Sequence, residues 1–153
     1  MAKNPLALEE QVCFALAVAS REVVSSYKSV LEPLGLTHPQ YLVMLALWQH
    51  AEAPEEKVLS VKDLSALLHL DPGTLSPLLK RLESAGLVTR RRSDVDERAL
   101  AVTVTPAGRE LRSRALSVPT TMLARLGMSE DDLTATNHVL HSIIDAAHES
   151  ATP

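Results

Sequence analysis

Aromatic residues, glycine and cysteine are all scarce in this sequence, and each shortage excludes something. Phe, Trp and Tyr make up 3% of 153 residues. The core must therefore be built from Leu, Val and Ala, a palette that favours helices. Five glycines leave no glycine-rich phosphate loop. A single cysteine excludes an intramolecular disulfide and fits a reducing compartment. No apolar run approaches the roughly 18 residues needed to span a bilayer. The segment MAKNPLALEEQVC places acids directly before the apolar run and lacks a signal-peptide pattern. A soluble, cytoplasmic protein with no membrane partner is expected. A surplus of positive charge is also missing: 15 Lys and Arg stand against 19 Asp and Glu, a formal charge of −4. Any case for nucleic-acid binding must rest on local charge. Serines show no catalytic-triad order. His138 and His141, three apart, lack the further ligands of a metal site and read as surface histidines. Neither cofactor nor metal is expected.

What is present is a helix-rich pattern. Hydrophobic residues reach 46%, enough for a real core in one domain. Asn4-Pro5 predicts the start of a long helix from about Leu6 to Leu31, and Glu32-Pro33-Leu34-Gly35 ends it. Thr37 with Gln40 forms a capping box for a helix over His38–Ala51. That helix is apolar on most sides and so expected to be buried. Leu59-Ser60-Val61 has strand character, and Ser60 caps a short helix over Val61–Leu68. His69-Leu70-Asp71 turns into a further helix over Pro72–Ala85, stopped by Gly86. Leu87–Arg92 and Ala99–Thr105 read as strands around the polar tip 93–98, which makes a β-hairpin. Thr105-Pro106 starts a helix that breaks near Pro119, and Gly127 closes that region. Ser129 with Asp132 starts a last helix, whose apolar stripe runs through Leu133, Leu140, Ile143, Ile144 and Ala147.

Two short helices, a tight turn and a hairpin define a winged helix-turn-helix. In the second helix, Leu75, Leu78, Leu79 and Leu82 fall at i, i+3, i+4 and i+7, one buried stripe. The opposite side presents Gly73, Thr74, Ser76, Pro77, Lys80, Arg81 and Ser84. Small residues let a helix sink into a major groove, and hydroxyls and cations supply donors to base edges and phosphates. The hairpin adds local charge. From Lys80 to Arg98, six basic residues (Lys80, Arg81, Arg90, Arg91, Arg92 and Arg98) face four acidic ones (Glu83, Asp94, Asp96 and Glu97). Arginine at a wing tip suits the narrow minor groove. Asp94 or Asp96 can hold Arg98 extended. By itself such a charge run reads as a solvated loop; the helix pair before it favours DNA.

Leu64-Ser65-Ala66-Leu67-Leu68, the run Leu75 to Val88, Asp96-Glu97-Arg98 and Val104-Thr105-Pro106-Ala107-Gly108 together resemble the MarR family of repressors, over nearly the whole chain. The resemblance implies an α+β, mostly helical winged helix-turn-helix with N- and C-terminal dimerisation helices. It implies one domain over 1–153, with dimerisation helices at about 6–51 and 106–148 and a DNA-binding lobe at about 58–105. It also implies a homodimer, each subunit reading half of an inverted-repeat operator in double-stranded DNA. Thr74, Ser76, Pro77, Lys80, Arg81, Arg91, Asp96 and Arg98 are the DNA-binding candidates.

Cys13 is the remaining feature. A free cysteine is most often a small buried hydrophobe. Tyr27 lies fourteen residues further along the same expected helix, about 40° off its face but about 21 Å along its axis. Thiol and phenol can meet only between two subunits, as a two-fold dimer allows. Leu8 to Leu16 around Cys13, with Tyr27 and Leu36 to Leu45, resembles the organic hydroperoxide regulators, the OhrR branch. That resemblance implies that Cys13 is the redox sensor and that Tyr27 of the partner subunit supports it. His38 stands where the branch carries a second tyrosine, and an imidazole can take that supporting role. Only a thiolate attacks a peroxide oxygen. The sulfenic acid product, lacking a second cysteine, would wait for a small thiol or cyclise on a backbone nitrogen. Phe14, Leu16, Met44 and Leu45 can line an apolar approach for an organic hydroperoxide. The alternative is a MarR-type repressor relieved by a small aromatic ligand, with Cys13 structural. A thiol peroxidase is weaker still, since no resolving cysteine is present.

Overall fold

The computed structural model describes residues 4–53, 58–92 and 99–152. The wing tip 93–98, with Asp94, Asp96 and Arg98, and part of the loop after the second helix lie outside them. In chain order the α-helices are α1 (Val12–Leu31), α2 (His38–Ala51), α3 (Val61–Leu68), α4 (Pro72–Ser84), α5 (Pro106–Ala115), α6 (Val118–Leu126) and α7 (Glu130–Ala151). The strands are β1 (Leu59–Ser60), β2 (Val88–Arg92) and β3 (Leu100–Val104). Among the described residues, no helix is long and apolar enough to cross a membrane.

Local chemistry sets most boundaries. Thr37 with Gln40, Ser60 with Asp63 and Ser129 with Asp132 form reciprocal capping boxes for α2, α3 and α7. The hydrogen bonds to Ser129 hold the Asp132 carboxyl below the usual carboxylate range. Gly86 and Gly127 take the left-handed backbone (φ 75° and 62°) that lets a helix turn away. The first helix departs from expectation. A short 3₁₀ turn at Leu8–Glu10 precedes it, and Gln11 is extended (φ −90°, ψ 123°). The Gln11 carboxamide donates to the carbonyls of Pro5 and Ala7 at 2.8 and 3.0 Å. The chain thus satisfies its early carbonyls without one continuous helix. The break near Pro119 falls between α5 and α6, because proline cannot donate to the carbonyl four residues back yet suits a first turn.

The chain divides into two compact units, Tyr27–Leu116 and Met1–Ser26 with Ser117–Pro153. The first holds the core: Leu31, Val43, Met44, Leu64, Leu75, Leu79, Leu82 and Val88 are fully buried. Its sheet has the order β1-β3-β2, all antiparallel, so β1 extends the expected hairpin to three strands. Trp48 Nε1–H donates to the Gly108 carbonyl at 2.9 Å and ties α2 to the start of α5. The α2 helix is not buried all round, since Leu42 and Leu45 stay more than a third exposed.

The second unit has little core of its own. Among its described residues only Val118 and Met122 are buried, and α7 buries no residue. The stripe on α7 occupies the expected positions, yet Leu133, Ile143 and Ile144 are 37–38% exposed and Val139 56%. Val12, Phe14 and Val24 of α1 are exposed as well.

Candidate nucleic-acid interface and thiol site

The reading head is built by α3, a tight turn and α4. His69 takes the left-handed conformation (φ 52°) at the end of α3, and the Leu70 amide closes on the Ser65 carbonyl at 3.0 Å. The Ser65 hydroxyl donates to the Leu70 carbonyl. Asp71 then caps α4. Its carboxylate accepts from the Thr74 hydroxyl at 2.6 Å and from the Thr74 amide at 3.2 Å. These bonds hold the Asp71 carboxyl below its ordinary range. The Thr74 hydroxyl proton is therefore engaged, which leaves this oxygen only its acceptor capacity.

Leu75, Leu78, Leu79 and Leu82 are all buried, as the helical spacing requires. Gly73, Thr74, Ser76, Pro77, Lys80, Arg81 and Ser84 are all exposed. Pro77 lies inside α4. It cannot donate to the Gly73 carbonyl, and its ring offers an apolar surface of the kind that meets thymine methyls.

On the wing, side chains alternate between faces. Val88 is buried, and Arg90 on the same side turns back to α4. Its amide and guanidinium bond to the Glu83 carboxylate at 3.2–3.4 Å. The Arg90 side chain holds the Glu83 carboxyl below its usual range. An exposed pair of this kind adds little stability; its effect is to fix the wing root to the recognition helix. Sequence reading grouped Arg90 with its neighbours because the pair spans two elements. Arg91 and Arg92 are exposed. Among the described residues, neither they nor Lys80 and Arg81 form an ion pair.

Removing one such cation has a defined signature. Lys80→Ala should weaken DNA binding by a similar factor on all sequences and flatten the log–log salt dependence by about 1. Fluorescence anisotropy across a salt series measures it; an unchanged slope would place Lys80 away from phosphate.

Cys13 is exposed near the start of α1, and its sulfur has no hydrogen-bond partner among the described residues. Since α1 is unbroken from Val12 to Leu31, Cys13 and Tyr27 stay about 21 Å apart along the helix of one subunit. In the other unit, Tyr27 and His38 pack ring against ring, with centroids 5.0 Å apart at 52°. Tyr41, at 5.9 Å from Tyr27, completes the cluster. Tyr41 falls within the stretch Leu36 to Leu45 that carries the resemblance but was not singled out from the sequence; the signal available was its spacing of three from His38. Met44 is fully buried, so it belongs to the core and cannot line an open approach to the thiol. Phe14 and Leu45 are exposed.

Burial raises the Tyr27 phenol and lowers the His38 imidazole from their ordinary values. Burial, and secondarily Tyr27, raises Tyr41. His38 is therefore neutral at pH 7 and offers a single N–H. A base with a lowered folded value adds stability above its unfolded value, and that stability is lost as pH falls through the folded value. NMR titration of the His38 ring should give a midpoint below the ordinary 6.5; a midpoint above it would contradict a desolvated ring.

A capped recognition helix, a leucine-striped core and an arginine-bearing wing define a winged helix-turn-helix DNA-binding regulator. Comparison with known proteins agrees. Residues 25–114 match the family model of the transcriptional regulator SarA/Rot. The organic hydroperoxide resistance transcriptional regulator of Bacillus subtilis is 40% identical over 142 residues, covering 93% of this chain and 92% of its own. AbfR of Staphylococcus epidermidis is 31% identical, with 95% of each chain covered and a TM-score of 0.74. Reduced AbfR bound to DNA gives a TM-score of 0.76. CouR from Rhodococcus jostii RHA1, bound to p-coumaroyl-CoA, is 26% identical, covering 90% of this chain and 94% of its own, with a TM-score of 0.74. The chain belongs to the MarR family of transcriptional regulators, in its one-cysteine, OhrR-like branch. It is a regulator rather than an enzyme. Its architecture is the family's winged helix-turn-helix with N- and C-terminal dimerisation helices.

Proposed function

We propose that this protein is a cytoplasmic, peroxide-responsive repressor, a homodimer that grips an inverted-repeat operator until Cys13 is oxidised. The observation that carries it is an exposed thiol without a partner among the described residues, together with a half-buried Tyr27–His38 ring pair on the other unit. The exposed apolar side chains of α1 and α7 favour a second copy, since a two-fold interface would cover them. In that dimer, Tyr27 and His38 of one subunit donate to the sulfur of Cys13 in the other. Thr74, Ser76, Pro77, Lys80 and Arg81 read the major groove, with Arg91, Asp96 and Arg98 at the wing.

The chemistry balances without a cofactor. The thiolate of Cys13 attacks the distal oxygen of an organic hydroperoxide. The S–O bond forms, the O–O bond breaks, and the leaving alkoxide takes a proton from water to depart as the alcohol. Sulfur gives up two electrons and becomes a sulfenic acid. A small thiol then condenses with it, releasing water and leaving a mixed disulfide. New polar bulk at the interface shifts the helices and respaces the two reading heads. The similarity to the Bacillus subtilis regulator supports the signal.

A second reading, relief by a small aromatic ligand with Cys13 structural, draws on the likeness to CouR bound to p-coumaroyl-CoA. One experiment separates the two. Reduced protein on its own upstream DNA receives one equivalent of cumene hydroperoxide, followed by gel shift and intact-mass analysis. One added oxygen or a thiol adduct at Cys13, with loss of the shifted band, is the expected result. Release with unmodified Cys13 would favour the ligand reading.

A further inference from the structure

We propose that Tyr41 is a positioning residue for the thiol reaction: its buried ring is the wall that holds the Tyr27 phenol in line with Cys13 of the partner subunit. The role presupposes the peroxide-sensing reading above. Tyr27, His38 and Tyr41 all belong to the unit Tyr27–Leu116, so their mutual geometry is set within one subunit. The chain has two tyrosines, and both stand in this cluster. The Tyr27 ring lies against His38 at 5.0 Å and against Tyr41 at 5.9 Å, centroid to centroid, tilted by 52° and 38°. Tyr41 differs from the other two in burial. It is 3% exposed, whereas Tyr27 and His38 are half-buried. One ring is sunk in the core, and two reach the surface.

The sunken ring stands on fixed backbone. The Thr37 amide donates to the Gln40 carboxamide at 2.9 Å, and the Tyr41 amide donates to the Thr37 carbonyl at 2.9 Å. Gln40 is itself buried, so the first turn of α2 has little room to shift. Tyr27 arrives from α1 without such anchors. Its hydroxyl has no hydrogen-bond partner among the described residues, and only ring contacts hold its side chain. Burial keeps the Tyr27 phenol above its ordinary value, so at neutral pH it still has its proton to give.

Hydrogen bonding does not account for a tyrosine at position 41, since its hydroxyl also has no partner among the described residues. Volume alone does not account for it either, because the core around it is built largely of Leu, Val and Met. What a flat ring adds is a face on which a second ring packs, at centroid separations of about 4.5–7 Å. Without that face, Tyr27 would sample the two or three staggered rotamers open to it, and only one of them meets the partner's sulfur. Holding the donor in place before the peroxide arrives is then worth about two- to threefold in rate.

Stopped-flow oxidation of the full-length reduced protein by cumene hydroperoxide tests the role, with operator affinity of the reduced state as the check on folding. Tyr41→Leu and Tyr41→Met remove the ring and should each slow oxidation about two- to threefold while operator affinity stays at the parent's value. Restoring the ring without the hydroxyl, in Tyr41→Phe, should recover the parent's rate. In a Tyr27→Phe background, Tyr41→Leu should slow oxidation no further, because the group it positions is gone. That non-additivity separates positioning from a general loosening, which would slow oxidation equally in both backgrounds. Parent rates in Tyr41→Leu and Tyr41→Met, or equal slowing in the Tyr27→Phe background, would overturn the role and leave Cys13 as the sensor. Slowing in Tyr41→Phe as large as in Tyr41→Leu would assign the effect to the hydroxyl and overturn the wall. Peroxide-driven release of DNA by Cys13→Ser would instead overturn the sensing reading, and the role with it.

Discussion

Gly108→Ala should lower the melting temperature by about 4–8 °C or more, although alanine is the better helix former. A Cβ at this position would lie 2.3 Å from the Leu87 carbonyl oxygen and 2.6 Å from the Val104 side chain. Neither side can retreat easily. The Leu87 oxygen accepts from the Thr105 amide at 3.0 Å, and the Gly108 carbonyl is held by the Trp48 indole at 2.9 Å. The Thr105 hydroxyl also donates to the Gly86 carbonyl at 2.6 Å, fixing the same corner. Overpacking against fixed backbone costs about 3 kcal/mol or more. The gain in helix propensity returns about 1 kcal/mol. The net of about 2 kcal/mol corresponds to the stated shift for a chain of this length. Far-UV circular dichroism at fixed protein concentration measures it. A melt equal to the parent's would mean that the corner yields.

Cys13→Ser is expected to keep operator affinity within about twofold of the parent and to lose the response to organic hydroperoxide. Serine is close to cysteine in size and its oxygen can accept the same hydrogen bonds, so the proposed interface is little disturbed. A serine hydroxyl does not attack peroxide oxygen under these conditions. The parent should lose affinity tenfold or more after one equivalent of hydroperoxide; the variant should show no change. Tyr27→Phe provides a graded test of the partner's support. Loss of one neutral hydrogen bond, worth about 1 kcal/mol, should slow oxidation about fivefold and leave the amplitude of release intact. Stopped-flow thiol oxidation and fluorescence anisotropy read the two effects separately. Release by Cys13→Ser equal to that of the parent would remove the thiol from the mechanism and favour the ligand reading.

The parts legible in the sequence are those written in neighbouring residues. Thr37 with Gln40, Ser60 with Asp63 and Ser129 with Asp132 each close a hydrogen-bonded loop over three residues, so the starts of α2, α3 and α7 could be read directly. The leucine spacing in α4 assigned its buried and open faces for the same reason. Gln11 was opaque because its carboxamide reaches back to Pro5, and helix propensity alone carries the helix straight through. Trp48 and Gly108 are sixty residues apart. Nothing near either residue announces that an indole and a carbonyl meet, or that a Cβ has no room. Arg90 and Glu83 illustrate the same limit at shorter range: a charge count grouped Arg90 with the other basic residues of the wing, and the fold ties it to the helix beside it. Tyr27 and His38 were singled out from a resemblance, and the ring of Tyr41 joined them only once α1 and α2 were packed.

The lone indole has an optical consequence. Trp48 is buried in the unit Tyr27–Leu116, and it is the only tryptophan in the chain. Intrinsic emission therefore follows the loosening of that unit alone, while α7 and the start of α1 are dark at this wavelength. Coincident denaturation curves by emission and by backbone ellipticity would mark one cooperative transition; separated curves would measure how independently the two units come apart.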